Sequence, residues 1–226
     1  PDGVKDVTGV ELLTSMSRID LTNNTTLEDL SISGFVNDRL EIAGNASLTS
    51  INLTDSVNLK VVDLSGVASV QSITATNTSA LITMDVTGLA DSLTSLTIND
   101  SAMTTLDLSA MTKITNLNVT GNAKLTTLNI NNLGITALDL TGLDKLQTLN
   151  ARETGIVSLD VSGVTDTLKT LDMYNSELTT LTWPTNKTKV STMNLAGTKI
   201  QELSFNNTVP YLETLTIGSD YLESFE

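Results

Sequence analysis

Three aspartates recur at a spacing of 22 residues, Asp63, Asp85 and Asp107, and Asp20 and Glu41 extend the series toward the N-terminus. In a stacked repeat protein this spacing places the five carboxylates in one column on the surface. Oxygen ligands are what calcium prefers, but the sequence has no Asp-x-Asp-x-Asp loop of the kind that holds it. We therefore predict no metal site and no cofactor. Asp63, Asp85 and Asp107 would be the ligands if calcium did bind, and are otherwise solvated carboxylates screened by salt.

A second group of residues that could form a site is Arg152, Asp172 and Tyr174. Asp172 and Tyr174 lie at and after the end of one predicted strand, and Arg152 lies about one repeat earlier. An exposed aromatic ring beside an arginine is typical of protein-binding hot spots. The alternative is an ordinary exposed tyrosine with no function. The candidate binding residues from sequence are thus Asp63, Asp85, Asp107, Arg152, Asp172 and Tyr174.

The composition excludes most catalytic chemistry. The 226 residues contain no histidine and no cysteine, with 12 Lys+Arg against 26 Asp+Glu, a formal net charge of -14. Zinc, haem, thiol-nucleophile and Ser-His-Asp sites all require His or Cys. Glycoside hydrolysis needs a carboxyl group whose pKa is raised by burial, and exposed aspartate columns lack that burial. We predict that the protein is not an enzyme.

The same numbers limit the partners. A strongly acidic surface repels the phosphate backbone, so we predict no nucleic-acid binding. The longest apolar runs are far shorter than the ~18 residues that read as a membrane span, so we also predict no membrane insertion. An acidic face favours a basic protein as partner.

An internal repeat positions all these side chains. A unit of the form apolar-x-x-apolar-x-apolar recurs about every eleven residues, as in Leu125–Ile130, Leu146–Ala151 and Leu168–Met173. The earlier units start at positions 16, 27, 37, 48, 59, 70, 81, 93, 103 and 114, and Asn37 is the weakest start because it is polar. In an extended segment alternate side chains face opposite sides, so positions 4 and 6 of each unit face inward and positions 3, 5 and 7 face solvent. Position 1 turns inward after a bend, and neighbouring coils share the core.

The repeat predicts a mainly β solenoid of about ten coils of 21–23 residues, with a parallel sheet on one side, extended segments or a second sheet on the other, and little or no helix. We expect residues 16–226 to form a single array and residues 1–15 to be an N-terminal segment that could cap it, with Val10, Leu12 and Leu13 covering the first coil. The C-terminal end lacks an apparent cap. The Asp-containing units fall on one parity before residue 114 and on the other after residue 125. Either the two series of units exchange roles, or they are near-equivalent; we favour near-equivalence.

These residues resemble the leucine-rich-repeat family. Leu146-x-x-Leu149-x-Ala151-x-x-Thr154-x-Ile156 matches its eleven-residue segment, with Thr154 where that family usually has Asn. The nested ten-to-eleven-residue period and segments such as Leu138-Asp139-Leu140-Thr141-Gly142 are similar to the bacterial IRREKO-type subclass found in secreted and surface proteins, including those of Bacteroidetes. The resemblance implies a right-handed solenoid and a recognition role, because this fold has no shared active site.

Three functions remain open from sequence. The first is a non-catalytic recognition or adhesion module at the bacterial surface that binds another protein. The second is a carbohydrate-binding or polysaccharide-degrading solenoid, with a glycan as ligand. The third is a structural spacer within a longer surface protein. Because the chain begins at Pro1 and not at Met, we expect that a leader has been removed and that the protein is secreted or displayed on the cell surface.

Overall fold

The computed structural model describes residues 3–5, 7, 9–13, 15, 19–164, 166–205, 207–218 and 220–225. Met16, where the first unit is predicted to start, lies outside the described residues. The chain forms two compact units, one made of Pro1–Met103 and Asn116–Asn122 and the other of Thr104–Thr115 and Ala123–Glu226. Both units are stacks of short parallel strands, so the predicted parallel β-solenoid with almost no helix is confirmed.

The first unit contains a five-stranded and a three-stranded parallel sheet. The five-stranded sheet has the order β1-β3-β5-β7-β9, formed by Asp29–Ser31, Ser50–Asn52, Ser72–Ala75, Ser95–Ile98 and Asn116–Asn118. The three-stranded sheet has the order β2-β4-β6, formed by Arg39–Glu41, Val61–Asp63 and Thr83–Met84. Strands alternate between the two sheets along the chain, as expected when two eleven-residue segments make one coil.

The second unit has one six-stranded sheet and two pairs of strands. The six-stranded sheet runs β8-β10-β11-β13-β15-β17, formed by Thr105–Asp107, Thr127–Asn129, Thr148–Asn150, Thr170–Asp172, Thr192–Asn194 and Thr214–Thr216. The pairs are β12 with β14 (Ser158–Asp160, Thr180–Thr182) and β16 with β18 (Glu202–Leu203, Ser224–Phe225). The threonines that begin the six strands are in register with one another.

The two series of repeat units are not equivalent. In the first unit the larger sheet is built from the series starting at 27, 48, 70, 93 and 114, and in the second unit from the series starting at 103 and 125. Our preference for near-equivalence is therefore wrong: the series exchange roles, although extended segments do occur in both. In the first unit the smaller sheet carries Glu41 opposite Asp63, whereas the larger one carries uncharged Asn52 opposite Thr74. Like charges directly opposite each other weaken strand pairing, which favours the longer sheet in the uncharged series.

The predicted inward positions form the core. In the unit that starts at Leu146, Leu146, Leu149 and Ala151 are each 0% exposed, and the same positions are buried throughout most of the repeat. Position 1 is buried as well, and a turn at residues 144–145 precedes it in this unit, as predicted. No coil covers these side chains alone, and their burial depends on the coils above and below.

A ladder of buried polar side chains follows the strands at position 9. The amide of Asn122 donates to the carbonyl oxygens of Ile98 at 2.7 Å and Val119 at 2.6 Å. Where the position holds threonine, its hydroxyl bonds back to the carbonyl three residues earlier, as Thr154 does to Ala151 at 2.9 Å. These bonds satisfy carbonyls that the turn would otherwise bury without a partner. Threonine at this position therefore keeps a hydrogen-bond donor, but its shorter side chain bonds the carbonyl three residues earlier and not the one in the preceding coil.

Position 8 adopts a left-handed backbone in many units. Glycine or asparagine fills most of these positions, and Gly197 is required for two reasons: its φ is 74°, and a Cβ there would collide with the side chain of Asn175 one coil away. Glu153 is an exception, a long side chain held at φ 55°. Such a conformation is costly for a residue whose side chain does not bond locally.

The N-terminal segment contacts the first coil through few residues. The carbonyl of Val4 accepts hydrogen bonds from Asn24 at 2.7 Å and Thr26 at 3.0 Å, and Val7 is buried. The expected cover by leucine is not seen, because Leu12 and Leu13, at and just after the end of the 3-10 helix Val10–Leu12, are 75% and 45% exposed. Among the described residues no helix is long and apolar enough to cross a membrane.

Replacing Glu153 with Asn should stabilise the protein. Asparagine tolerates the left-handed backbone better than glutamate, so we expect the free energy of unfolding in urea to rise by about 1 kcal/mol. The matched control is Glu213→Asn, at an exposed position without a positive φ, where we expect a change within about 0.5 kcal/mol. Equal effects of the two substitutions would contradict the assignment of strain to Glu153.

Candidate functional site

A hydrogen-bonded turn follows the strand at position 5 of most units. The side chain of the Asp or Asn at this position accepts the backbone N–H two residues later, as Asp63 accepts that of Ser65 at 3.0 Å and Asp85 that of Thr87 at 3.0 Å. The same bond is made by Asp20, Asn52, Asp107, Asn118, Asn129, Asp139, Asp160, Asp172 and Asn194. Short polar side chains favour this local turn. The aspartate column therefore has a structural purpose before any binding role.

The turn bonds also lower the pKa of Asp63 and of Asp85. The backbone N–H of Ser65, and then its hydroxyl, lower the pKa of Asp63. The same two donors of Thr87 lower the pKa of Asp85. A hydrogen bond to the charged form favours ionisation. The pKa shifts of Asp63 and Asp85 are thus opposite to the raised pKa that a general acid needs.

Asp63 and Asp85 are brought together, and Asp107 is placed elsewhere. Asp63 ends β4 and Asp85 follows β6, the neighbouring strand, and both carboxylates line one shallow pocket of about 260 Å³. Arg39 forms ion pairs with both Glu41 and Asp63. Its Nε lies 3.1 Å from a carboxylate oxygen of Glu41, and an Nη nitrogen lies 4.0 Å from one of Asp63. Within the part of the chain that the structure describes, no three carboxylates gather where they could hold a metal ion.

Asp107 belongs to the second unit. It ends β8, opposite Asn129 of β10, in the six-stranded sheet. Burial raises the pKa of Asp107, but hydrogen bonds from the hydroxyl and backbone N–H of Ser109 outweigh it, so the net pKa is lowered. Its partner in β10 is an uncharged amide, whereas Asp63 in the first unit lies opposite the carboxylate of Glu41.

Arg152, Asp172 and Tyr174 form a compact cluster at the end of β11 and β13. The Nε of Arg152 donates to Oδ2 of Asp172 at 2.7 Å, and an Nη nitrogen lies 2.6 Å from the same oxygen. The backbone N–H of Tyr174 donates to the other oxygen, Oδ1, at 3.2 Å. This carboxylate raises the pKa of Arg152, first through the hydrogen bond and then through its charge. Asp172 thereby holds the guanidinium of Arg152 and the backbone N–H of Tyr174.

The prediction that position 5 faces solvent is wrong for Asp172. The residue is only 7% exposed because the guanidinium of Arg152 covers it, whereas the Arg152 side chain is 51% exposed and Tyr174 is 37% exposed. A further bond, from the backbone N–H of Arg152 to Oδ1 of Asn131 at 2.8 Å, holds the arginine's own backbone. Arg152 and Tyr174 are thus the groups a partner could touch, and Asp172 positions them.

Two grooves in the second unit are lined by residues that the sequence analysis did not select as candidate binding residues. The first, of about 610 Å³, opens where Gly134 and Gly155 leave space, and Glu153, Asn175 and Glu177 are among its lining residues. The sequence feature that could have indicated this groove is the glycine at position 10 in two successive coils. The glycines are needed for packing, since a Cβ at Gly155 would lie 3.0 Å from a backbone carbonyl oxygen of the preceding coil.

The second groove lies at the opposite end of the strands, before they begin. It has a volume of about 310 Å³ and is lined by Lys169, Lys189, Ser191 and Tyr211. The signal in the sequence was the recurrence of lysine just before successive unit starts in a chain of net charge -14.

Substitution of Asp85 should separate its turn-forming role from its charge. Asp85→Asn keeps an oxygen for the Thr87 N–H and loses only the contribution of the charge, so we expect it to destabilise the protein less at pH 7 than Asp85→Ala, which loses the turn bond and about 0.5–1.5 kcal/mol. Because the folded pKa is lowered, the contribution of the charge is complete above about pH 5 and is lost as pH falls through the folded pKa. Urea unfolding at several pH values should therefore show wild type losing stability relative to Asp85→Asn in acid. A constant difference between them across this range would refute the assignment.

Comparisons with known proteins find solved structures that resemble this chain only weakly. No family model and no curated protein matches the chain. Among solved structures, the functional domain of InlJ from Listeria monocytogenes, which includes a cysteine ladder, matches with a TM-score of 0.35 and 19% identity, covering 98% of this chain and 62% of that one. TLR13 in complex with ssRNA13 matches with a TM-score of 0.38 and 16% identity, covering 88% of this chain and 42% of that one. The chain thus spans less than two thirds of either protein. Both TM-scores are below 0.5, so neither match supports a conclusion about this chain.

Proposed function

We propose that this protein is a non-catalytic recognition module that binds another protein through the six-stranded sheet of its second unit. The observation that carries the proposal is the Arg152–Asp172–Tyr174 cluster. A nearly buried carboxylate there holds a half-exposed guanidinium by two contacts within 2.7 Å and also fixes the adjacent tyrosine backbone. Arginine and tyrosine lose less entropy on binding when they are held beforehand, which is why such groups dominate interface energies.

The surroundings of the cluster also suit protein recognition. The strands display rows of half-exposed threonine and asparagine, such as Thr148 and Asn150, whose side chains can donate or accept hydrogen bonds across a flat surface. The pKa values of Asp63, Asp85 and Asp107 are lowered, opposite to the raised pKa of a general acid, and this supports a role in binding over one in catalysis.

The charged residues of the first unit favour a basic partner. Glu41, Asp63 and Asp85 are carboxylates of successive coils along one small sheet, and Arg39 pairs with the first two. Opposite charge accelerates association and makes it sensitive to salt. We propose that Asp63, Asp85 and Asp107 add to binding through charge, while Arg152 and Tyr174 make the central contacts.

We further propose that the protein acts outside the cell, secreted or attached to its surface, and that it belongs to the IRREKO-like subclass as found in Bacteroidetes. The nested eleven-residue period and the Leu-Asp-Leu-Ser/Thr-Gly segments support this placement. A single array over residues 16–226 remains our proposal for the domain organisation. A spacer role would require no specific contact, and the ordered Arg152–Asp172 pair favours recognition over it.

A binding screen tests the function. Purified protein is screened against arrays of extracellular proteins and of glycans, and each hit is measured again with Tyr174→Ala and Arg152→Gln. For a partner that uses the cluster we expect each substitution to weaken the dissociation constant about tenfold or more. Tyr211→Ala is the matched control, since it removes an exposed tyrosine outside the cluster, and it should leave that affinity unchanged.

The charge of the aspartates is tested with the triple variant Asp63→Asn, Asp85→Asn and Asp107→Asn. Asparagine preserves the turn bonds, so the fold is retained while three charges are removed. We expect slower association and a weaker dependence on salt. Protein hits that ignore both sets of substitutions, or turnover of a polysaccharide in a hydrolysis screen, would overturn the proposal.

A further inference from the structure

Four lysines form a row at the edge of the six-stranded sheet where the strands begin. Lys124, Lys145, Lys169 and Lys189 come from four successive coils of this series and are all exposed; we call them the lysine strip. Lys124, Lys145 and Lys189 immediately precede their units, while Lys169 is the second residue of its unit. At the usual spacing of ~4.8 Å between neighbouring strands, four coils span about 14 Å.

Among the described residues the four lysines of the strip have no acidic partner, a property that they share with Lys113 and Lys187 but not with Lys60 and Lys199. Lys60 pairs with Asp38 at 3.4 Å, and Lys199 pairs with Glu177. Among the residues that the structure describes, by contrast, no carboxylate oxygen lies within 4.0 Å of any of the four ammonium groups of the strip. In a chain of net charge -14, unpaired cations in a row are the most distinctive charge feature of this unit.

The backbone groups where the strands begin are hydrogen-bonded from one coil to the next. The carbonyl of Thr126 accepts the N–H of Gln147 at 2.8 Å, that of Gln147 accepts Lys169 at 2.8 Å, and that of Lys169 accepts Ser191 at 2.9 Å. Nearby hydroxyls are tied back as well, since Thr126 Oγ1 donates to the carbonyl of Thr104 at 2.9 Å. A peptide could not add here as a strand, because strand addition needs free backbone groups. A ligand must be bound by side chains.

An exposed aromatic ring completes the edge. Tyr211, 63% exposed, precedes its unit at the same position as Lys189 does one coil earlier, and the two residues line one groove with Lys169 and Ser191. Two ammonium groups beside a free ring provide charge for an anionic substituent and a flat apolar face for the ring that carries it. Stacking on an aromatic ring is the usual way in which a flat apolar ligand face is held.

We propose that the lysine strip and Tyr211 bind an acidic polysaccharide, with its carboxylate or sulfate groups on the lysines and a sugar ring on Tyr211. This site is separate from the Arg152–Tyr174 cluster and does not depend on the proposed function. A nucleic acid fits less well, because its dense phosphate charge is repelled by the remainder of the protein. An acidic peptide cannot add as a strand, because the backbone groups here are already hydrogen-bonded. It also lacks a ring in every residue that could stack on Tyr211.

Acidic neighbours define the limits of the site. Glu213 follows Ser191 in the hydrogen-bonded row of strand starts, and exposed Asp144 and Asp166 lie just before their units. These carboxylates confine the positive electrostatic potential to the lysine strip. They therefore favour a ligand whose negative charges are spaced apart. Removing one of them should strengthen binding, an effect opposite in sign to the loss of a lysine.

The test uses polygalacturonate as carboxylated probe and dextran sulfate as sulfated probe, with the full chain, in affinity electrophoresis and titration calorimetry. We expect binding of at least one probe that weakens with added salt. Lys169→Glu with Lys189→Glu should weaken it about tenfold or more, Tyr211→Ala should weaken it several-fold, and Glu213→Gln should strengthen it. The two probes distinguish carboxylate from sulfate recognition.

The matched control for each single substitution, Lys169→Glu or Lys189→Glu, is Lys113→Glu, an exposed lysine of the alternate series with the same change in charge. It should leave binding nearly unchanged, and the melting temperature of every variant shows whether it has folded. Equal loss with Lys113→Glu would show that net charge alone governs binding and would overturn the proposal. Failure of both probes to bind folded wild type, or tighter binding of single-stranded DNA or polyglutamate than of either polysaccharide, would also overturn it. Loss of binding by the Tyr174→Ala variant would instead assign the ligand to the other cluster.

Discussion

Sharing of the core between coils is the constraint on which the other features depend. Each eleven-residue unit contributes three apolar side chains that it cannot bury alone, and the neighbouring coils above and below cover them. Close stacking in turn requires parallel strands in strict register, so that each surface position repeats at one strand spacing. Surface side chains of the same repeat position therefore form columns. A substitution at one position changes the surroundings of similar residues in the coils above and below.

The turns that end the strands show how structure and charge are linked. Position 5 must supply an oxygen acceptor for the backbone two residues later, and both aspartate and asparagine can do so. The choice between them has little effect on the turn but determines the charge of the column. The carboxylates of the first unit and the amides of the larger sheets are thus alternative solutions to one backbone requirement. The net charge could change in evolution without loss of the fold.

The second unit uses its two strand ends differently. After the strands, a nearly buried Asp172 holds Arg152 and Tyr174 in a neutralised, ordered cluster. Before the strands, lysines remain unpaired among the described residues, beside an exposed tyrosine. The first arrangement suits a precise protein contact, and the second suits a flexible, charged chain. The same stacked strands support both because each end of a strand projects its own set of columns.

The sequence by itself determined the parallel solenoid, the inward positions and the grouping of Arg152, Asp172 and Tyr174, because all three follow from a period that local chemistry imposes. It did not determine that Asp172 is covered by Arg152, that Asp107 belongs to a different unit from Asp63 and Asp85, or that the larger sheet changes from one series of units to the other. Those outcomes depend on which coils pair and on side-chain contacts across about 20 residues of chain. Only the tertiary structure decided them, because the energy of a charged side chain depends on its neighbours in space, whereas the energy of a repeated leucine depends mainly on its being buried.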